Sequence, residues 1–290
     1  MTTGSMAAMS SSGVGRRRRR LNLALVAIGA LGLFLGVAWL ATNIPSELLV
    51  DVRAYYDAGA RLNAGEPLYA QTVSTNESAF YRYPPLLAIA FRPLALLPFP
   101  VAAAIWEAVV VASLVGLLLL IRPGVRGWSL AGMLALPIAW SVVIGQAQVP
   151  VTFLMAIGSP GALALATHLK VLPALAAIWW IGRRDWNALG RFAAWSVGLA
   201  VLQLILEPTG SLAFPSVFNL GTVGEVINWS PYAISPTLWA ALLVVGTIAA
   251  WRLAPTRWGW AAAVTLSVLA TPRLILYQLM TLLAAARQPR

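Results

Sequence analysis

Apolar positions in this chain fall in long blocks, and the polar residues between the blocks are sorted by charge. Residues 21–41 form an apolar run directly after five consecutive arginines at 16–20. A run of about 20 apolar residues spans a bilayer as a helix, and its flanking arginines stay on the cytoplasmic side. The pattern predicts a first membrane helix with a cytoplasmic N-terminus. Residues 42–83 then form the first extracytoplasmic loop, and they hold Glu47, Asp51, Asp57, Glu66 and Glu77, five of the nine carboxylates.

Inside that loop, Ser46 fits an N-cap with Glu47 in the first turn, and Gly65 followed by Pro67 fits a stop. Leu48, Val52, Tyr55 and Leu62 fall near one face, while Arg53, Asp57 and Arg61 make an i,i+4 charge ladder on another. The expectation is an amphipathic helix lying on the outer membrane surface.

Residues 86–97 are too short to cross untilted and contain Arg92-Pro93, so they read as a re-entrant or surface helix, or as half of a hairpin with 101–121. Residues 128–144 lead to Gly145-Gln146-Ala147-Gln148. Residues 149–182 are too many for one crossing and too few for three, and they are broken at 158–161 and at Pro173. Broken helices at membrane depth are tolerated only where the backbone lines a protein cavity. Four more runs follow, at 192–206, 237–251, 258–270 and 274–286, with an outer loop at 207–235 that carries Glu207 and Glu225. The expected fold is an all-α polytopic membrane protein with about eight to ten membrane segments. Residues 1–20 read as a disordered basic cytoplasmic tail, and 21–290 as a single transmembrane domain.

Composition agrees. The 290 residues are 60% hydrophobic and only 10% charged, with a mean hydropathy of +0.79; soluble domains carry about a quarter charged residues. The net charge of +11 does not point to nucleic acid, because the arginines sit in short links beside apolar runs, where they orient helices and meet anionic lipid. With no cysteine and one histidine, disulfides and thiolate or histidine-cluster metal sites are excluded. The 13 tryptophans are expected in interfacial belts.

Several residues could carry chemistry. Lys170 is the single lysine against nineteen arginines, in an otherwise apolar segment that also holds His168. A charge at bilayer depth is costly, so Lys170 either faces a polar cavity as a cation for phosphate or snorkels to the interface. Residues two apart diverge by about 200° on a helix, so His168 shares a site with Lys170 only where the helix breaks. Asp51, at the start of the loop helix, can act as a general base or simply complement the helix dipole. Tyr55 lies one turn on, and Arg82 and Tyr83 close the loop. Arg273, after Thr271-Pro272, is a second phosphate candidate on a side where arginine is not expected. Glu107 sits within an apolar span and reads as a core acid. The chain has neither a glycine-rich nucleotide loop nor a DxD pair.

The order of short motifs resembles the N-terminal half of glycosyltransferase family 87. The pieces are Asp51 with Tyr55, Gly65-Glu66-Pro67-Leu68-Tyr69, Tyr83-Pro84-Pro85-Leu86, Arg92-Pro93-Leu94, Trp106, Gly145-Gln146, and Leu169-Lys170 with Pro173 before Arg183, Arg184 and Trp186. The resemblance implies a type-C glycosyltransferase helix bundle that takes a sugar, typically mannose, from a polyprenyl-phosphate donor at the extracytoplasmic face, with inversion. It implies Asp51 as the general base, and the candidates expected to bind the substrates around it are Lys170, Arg273, His168, Tyr55, Tyr83, Arg82 and Gln146. The acceptor is then a glycolipid or glycan, and no cofactor is needed because the sugar leaves with a phosphate already charged. Two other readings stay open: a transporter or flippase for an anionic lipid, motivated by the broken helices, and a non-catalytic relative that binds lipid-linked sugar.

Overall fold

The computed structural model describes residues 5–70, 80–121, 124–217 and 228–289, with the backbone alone at 5–18, 43–47, 125 and 126. Glu77, Arg122 and Glu225 lie outside the described residues. Every regular element among the described residues is helical, so the chain is an all-α membrane protein.

Among the described residues, four helices are long and apolar enough to cross a bilayer: Arg19–Thr42 within α1 (Ser5–Glu47), α4 (Phe99–Ile121), α10 (Trp186–Leu206) and α12 (Pro236–Leu253). The eight to ten segments expected include the shorter apolar runs as well. The other apolar stretches fold as pieces of at most 11 residues, because turns and prolines interrupt them. Residues 128–144 split at Leu134 into α5 (Val125–Met133) and α6 (Ala135–Val143). Residues 149–182 split into α7 (Gln148–Ile157), α8 (Pro160–Leu169), a 3₁₀ segment (Leu172–Ala177) and α9 (Ile178–Arg183). The breaks fall at Gly158, left-handed with φ 64°, and at Lys170, extended with φ −149°. Residues 84–98 give the short α3 (Pro85–Phe91) and a 3₁₀ turn. The α1 helix begins at Ser5.

Long and short helices occupy different layers. Within the α10 and α12 spans only 6% of residues are buried, so their apolar side chains face outward, as lipid contact requires. By contrast, α7 and α13 (Gly259–Leu269) are largely buried, as is the 3₁₀ helix Leu276–Ala286 that packs on both. Irregular backbone is thus kept inside protein, where its polar groups find partners. The tryptophans divide accordingly. Trp128, Trp186 and Trp258 are exposed, but Trp106, Trp179, Trp180 and Trp260 are buried, which corrects the expectation of belts alone. Large rings fill the space between short inner helices, and Trp260 donates Nε1–H to the Ala284 carbonyl at 3.0 Å.

Two of the basic links lie together. Gly182, before Arg183 and Arg184, packs against Trp251 and Ala254, beside Arg252. Toward the opposite end of α10, Glu207 acts electrostatically on Tyr69 of the first loop, and Asn228 accepts from the Leu274 amide, next to Arg273.

Helix α1 docks on α5 and α6 through glycine. A Cβ at Gly132 would lie 2.4 Å from the Gly29 carbonyl oxygen, and one at Gly32 would lie 2.3 Å from that of Gly132. Small residues let membrane helices approach backbone to backbone. His168 ties three other elements. Its Nε2 lies 3.0 Å from the Ser196 carbonyl of α10, and its Nδ1 faces Gln203 Nε2. Since the amide nitrogen only donates, Nδ1 accepts and Nε2–H donates to Ser196. Gln203 Oε1 then accepts from the Leu86 amide of α3 at 3.0 Å. His168 is therefore a strap between α8, α10 and α3.

Replacing Gly132 by Leu is expected to lower stability by about 1–3 kcal/mol, the usual cost of overpacking, whereas Gly190→Leu, which meets nothing within 4 Å, is expected to be neutral. Thermal midpoints in detergent measure both. His168→Leu removes the bonds to the Ser196 carbonyl and to Gln203 Nε2, which keeps the Leu199 carbonyl, at a cost of about 0.5–1.5 kcal/mol per bond, read from the same unfolding curves.

Candidate active site

The site is built on a junction between helix ends. The first amides of α2 (Val50–Asn63) lie against the last carbonyls of α6: Leu49 N–H donates to Val143 O at 2.9 Å and Asp51 N–H to Ile144 O at 3.1 Å. Each helix satisfies groups that the other leaves orphaned. The expected N-cap at Ser46 is corrected by this, since α1 runs through Glu47 and the chain turns at Leu49, φ 58°. The α2 stop is as expected, with Gly65 left-handed at φ 72°.

One face of α2 is amphipathic as read: Val52, Tyr55 and Leu62 are buried while Leu48 is exposed. That face packs on α3 and α4, so the helix is docked into the protein. The charge ladder behaves differently from the expectation. Arg53 lies 3.5 Å over the Phe99 ring, and Arg61 holds Nε and Nη2 buried without hydrogen-bond partners. Burial pushes the Asp57 carboxyl up from the usual range, against the opposing pull of Arg53 and Arg61.

Gly145 follows α6 with φ 67°, and a Cβ there would meet Val52 Cγ2 at 2.1 Å and Glu107 Oε1 at 2.6 Å. Glycine is thus required by conformation and by space. Trp106 Nε1 donates to the Gly145 carbonyl at 2.8 Å, which fixes the turn against α4. Glu107 Oε1 is buried beside it without a hydrogen-bond partner.

Gln146, fully buried, is the hub that follows. Its Oε1 accepts from the hydroxyls of Tyr55 at 2.9 Å and Tyr83 at 2.7 Å, and its Nε2 donates to Asp51 Oδ2 at 3.1 Å. A flipped amide would set oxygen against carboxylate, so the orientation is determined. Tyr55 is itself held by the Ala147 amide at 3.2 Å and by an aromatic cage of Tyr83, Phe91 and Trp106, with ring centroids 5.1, 5.4 and 5.8 Å away.

Two residues on, Gln148 reverses the polarity. Its Oε1 accepts from Lys170 Nζ and its Nε2 donates to Thr281 Oγ1, which lies 3.2 Å from Thr152 Oγ1. Lys170 follows the end of α8, with Nζ 5.5 Å from the Tyr83 ring and 5.2 Å from the Tyr277 ring. It lines a cavity of about 210 Å³ together with Arg82, Tyr83, Gln148, Arg273 and Tyr277. Met155, Leu172, Phe214 and Val268 give the same cavity an apolar wall. Asp51 adjoins it through Gln146 and Tyr83, and its charge acts on Lys170, Tyr83 and Tyr277. Burial, and then the neighbouring Arg82, push the Arg273 guanidinium down from its ordinary value, although arginine stays charged.

Of the residues singled out in the sequence, Arg82, Tyr83, Lys170 and Arg273 share the cavity, and Asp51, Tyr55 and Gln146 adjoin it by hydrogen bonds. His168 does not join them; it bonds toward α10 instead. Gln148, Tyr277 and Thr281 were missed. Gln148 had a visible signal, a second glutamine at i+2 in the same turn inside an apolar region. Tyr277 and Thr281 enter only through tertiary packing. The arrangement sets three cations in a cavity next to a carboxylate, a geometry suited to binding a phosphate and accepting a proton beside it.

Comparison with known proteins gives the family. The model for glycosyltransferase family 87 matches residues 80–272; the match includes Arg82, Tyr83, Gln146 and Lys170, while Asp51 precedes it and Arg273 adjoins its end. A polyprenol-phosphate-mannose-dependent alpha-(1-2)-phosphatidylinositol pentamannoside mannosyltransferase of Mycolicibacterium smegmatis is 28% identical over 219 residues, covering 67% of this chain and 53% of that protein. A protein of the same description from Mycobacterium tuberculosis is 28% identical over 210 residues, covering 69% of this chain and 46% of its own length. The chain thus spans about half the length of these curated relatives. No solved structure matches. With a family model covering most of its described residues, the chain belongs to glycosyltransferase family 87.

Proposed function

We propose that the chain is an integral-membrane glycosyltransferase that moves mannose from a polyprenyl-phosphate donor to a glycolipid acceptor of the phosphatidylinositol-mannoside class. The observation that carries this reading is that one turn, Gly145 to Gln148, holds both Asp51 and Lys170, beside a cavity that also contains Arg82 and Arg273. The names of the two relatives supply the donor and acceptor classes.

In this reading the donor phosphate lies among Lys170, Arg82 and Arg273, with the lipid chain along the apolar wall. Asp51 accepts the proton of the acceptor hydroxyl as its oxygen attacks the anomeric carbon. The bond from that carbon to the phosphate oxygen breaks, and its electron pair leaves on the phosphate, where the cations stabilise it. Such electrostatics act strongly in a site away from water. No acid is required for the leaving group, and the sugar is inverted in one displacement.

The paired links at Arg183 and Arg184 and at Arg252 are taken as cytoplasmic, since positive charge stays inside. The cavity, with Arg273 and the first loop, then opens on the extracytoplasmic side. The N-terminus is cytoplasmic, and residues 21–290 act as one transmembrane domain.

Transfer of radiolabelled mannose from polyprenyl-phosphate mannose to a phosphatidylinositol mannoside, by the protein in lipid nanodiscs, tests the reading. Asp51→Asn is expected to lower kcat by about 10²- to 10⁴-fold, the range for a general base. Lys170→Met and Arg273→Met are each expected to raise the donor KM roughly 10- to 100-fold, the loss of one charge-assisted bond to phosphate. Full transfer by Asp51→Asn would remove the carboxylate from the reaction.

A further inference from the structure

The side chains at Gln146 and Gln148 come from the same turn, yet they present opposite ends of their amides to opposite charges. Gln146 offers Nε2–H to the Asp51 carboxylate. Gln148 offers Oε1 to the Lys170 ammonium. Neither orientation is free. Two tyrosine hydroxyls occupy Gln146 Oε1, and Lys170 has only hydrogens to give, so Gln148 must turn its oxygen toward it. Both glutamines are buried, and a buried polar group without a partner is costly, so each amide is committed to its contact.

We infer that Gln146 and Gln148 are a pair of positioning residues with separate duties: Gln146 holds the Asp51 carboxylate ionised and aimed, and Gln148 holds the Lys170 ammonium at the phosphate position. The inference rests on the reading of Asp51 as base and Lys170 as phosphate cation. The pairing also fixes the distance between the two, because both glutamines sit on one rigid segment running into α7. Thr281 and Thr152 anchor Gln148 from behind, and Tyr55 and Tyr83 anchor Gln146.

Separate duties predict separate kinetic signatures. Removing the N–H donated to Asp51 disfavours the charged carboxylate and raises its pKa, so the acid limb of the rate profile moves to higher pH. Other groups acting with Asp51 include Lys170, Tyr55, Tyr83 and Tyr277, with Arg82 and Arg273 on the cavity wall; all remain in these variants. Gln146→Glu is isosteric, keeps acceptors for the tyrosines and sets a second carboxylate at Asp51. Gln148→Glu is isosteric, keeps the acceptor for Lys170 and neutralises it.

The experiment is a pH–rate profile with donor KM for Gln146→Glu, Gln148→Glu and Asp51→Asn, in the full chain in nanodiscs, with polyprenyl-phosphate mannose as the probe. Gln146→Glu is expected to shift the acid limb upward by about one pH unit or more, with donor KM within about threefold of the parent, since its duty lies with Asp51. Gln148→Met removes the acceptor that positions Lys170, and Gln148→Glu keeps it but offsets the ammonium charge. Each is expected to raise donor KM by about tenfold or more, the loss of one charged contact, without moving the limb. Gln146→Met, which also removes the N–H, is expected to move the limb in the same direction and stands in where the Glu variant does not fold. An unmoved limb in both Gln146 variants, or the same KM rise from Glu at either position, overturns the inference while leaving the base reading intact. Undiminished turnover by Asp51→Asn overturns the base reading itself.

Discussion

Everything at the site depends on the meeting of α6 and α2, where the last carbonyls of one helix accept from the first amides of the other. That contact places Asp51 at the start of a helix buried on one face. It leaves room for a left-handed glycine between Val52 and Glu107. From this junction the chain runs directly into Gln146 and Gln148. A carboxylate in the first loop and an ammonium more than a hundred residues later are thereby tied to four consecutive residues.

The two layers of the fold make such a junction possible. Long helices with outward apolar faces satisfy their own backbone and separate the interior from lipid. Inside them, short helices can end, reverse and restart, which exposes backbone amides and carbonyls that side chains then use. The break at Lys170 serves the site in this way: an extended residue after α8 turns the ammonium toward Gln148 and the Tyr83 and Tyr277 rings. An uninterrupted helix would have carried it on past the cavity.

Much of this was legible in the residues themselves. The spans at 19–42, 99–121, 186–206 and 236–253 follow from apolar runs of sufficient length, and the breaks near 158 and 170 follow from glycine and proline. Lys170 and Arg273 stood out because each is a charge where the surrounding pattern expects none, and Asp51 because it opens the loop helix beside Tyr55. The helix start at Val50 was hidden, since its amides are capped by α6 carbonyls distant in sequence, and no local residue announces that. His168 misled for a similar reason: its partners, Ser196 and Gln203, lie on α10, and proximity to Lys170 in sequence said nothing about direction. The buried tryptophans were unreadable as core because hydropathy does not distinguish a ring facing lipid from one facing α13.

The central claim is geometric, and a structure determined by electron cryomicroscopy with a polyprenyl phosphate-linked mannose bound tests it most directly. The account predicts the phosphate among Lys170, Arg82 and Arg273, with the anomeric carbon open to an acceptor hydroxyl beside Asp51. A phosphate seated away from Lys170, or a sugar held where the Asp51 carboxylate has no access to it, would contradict the account.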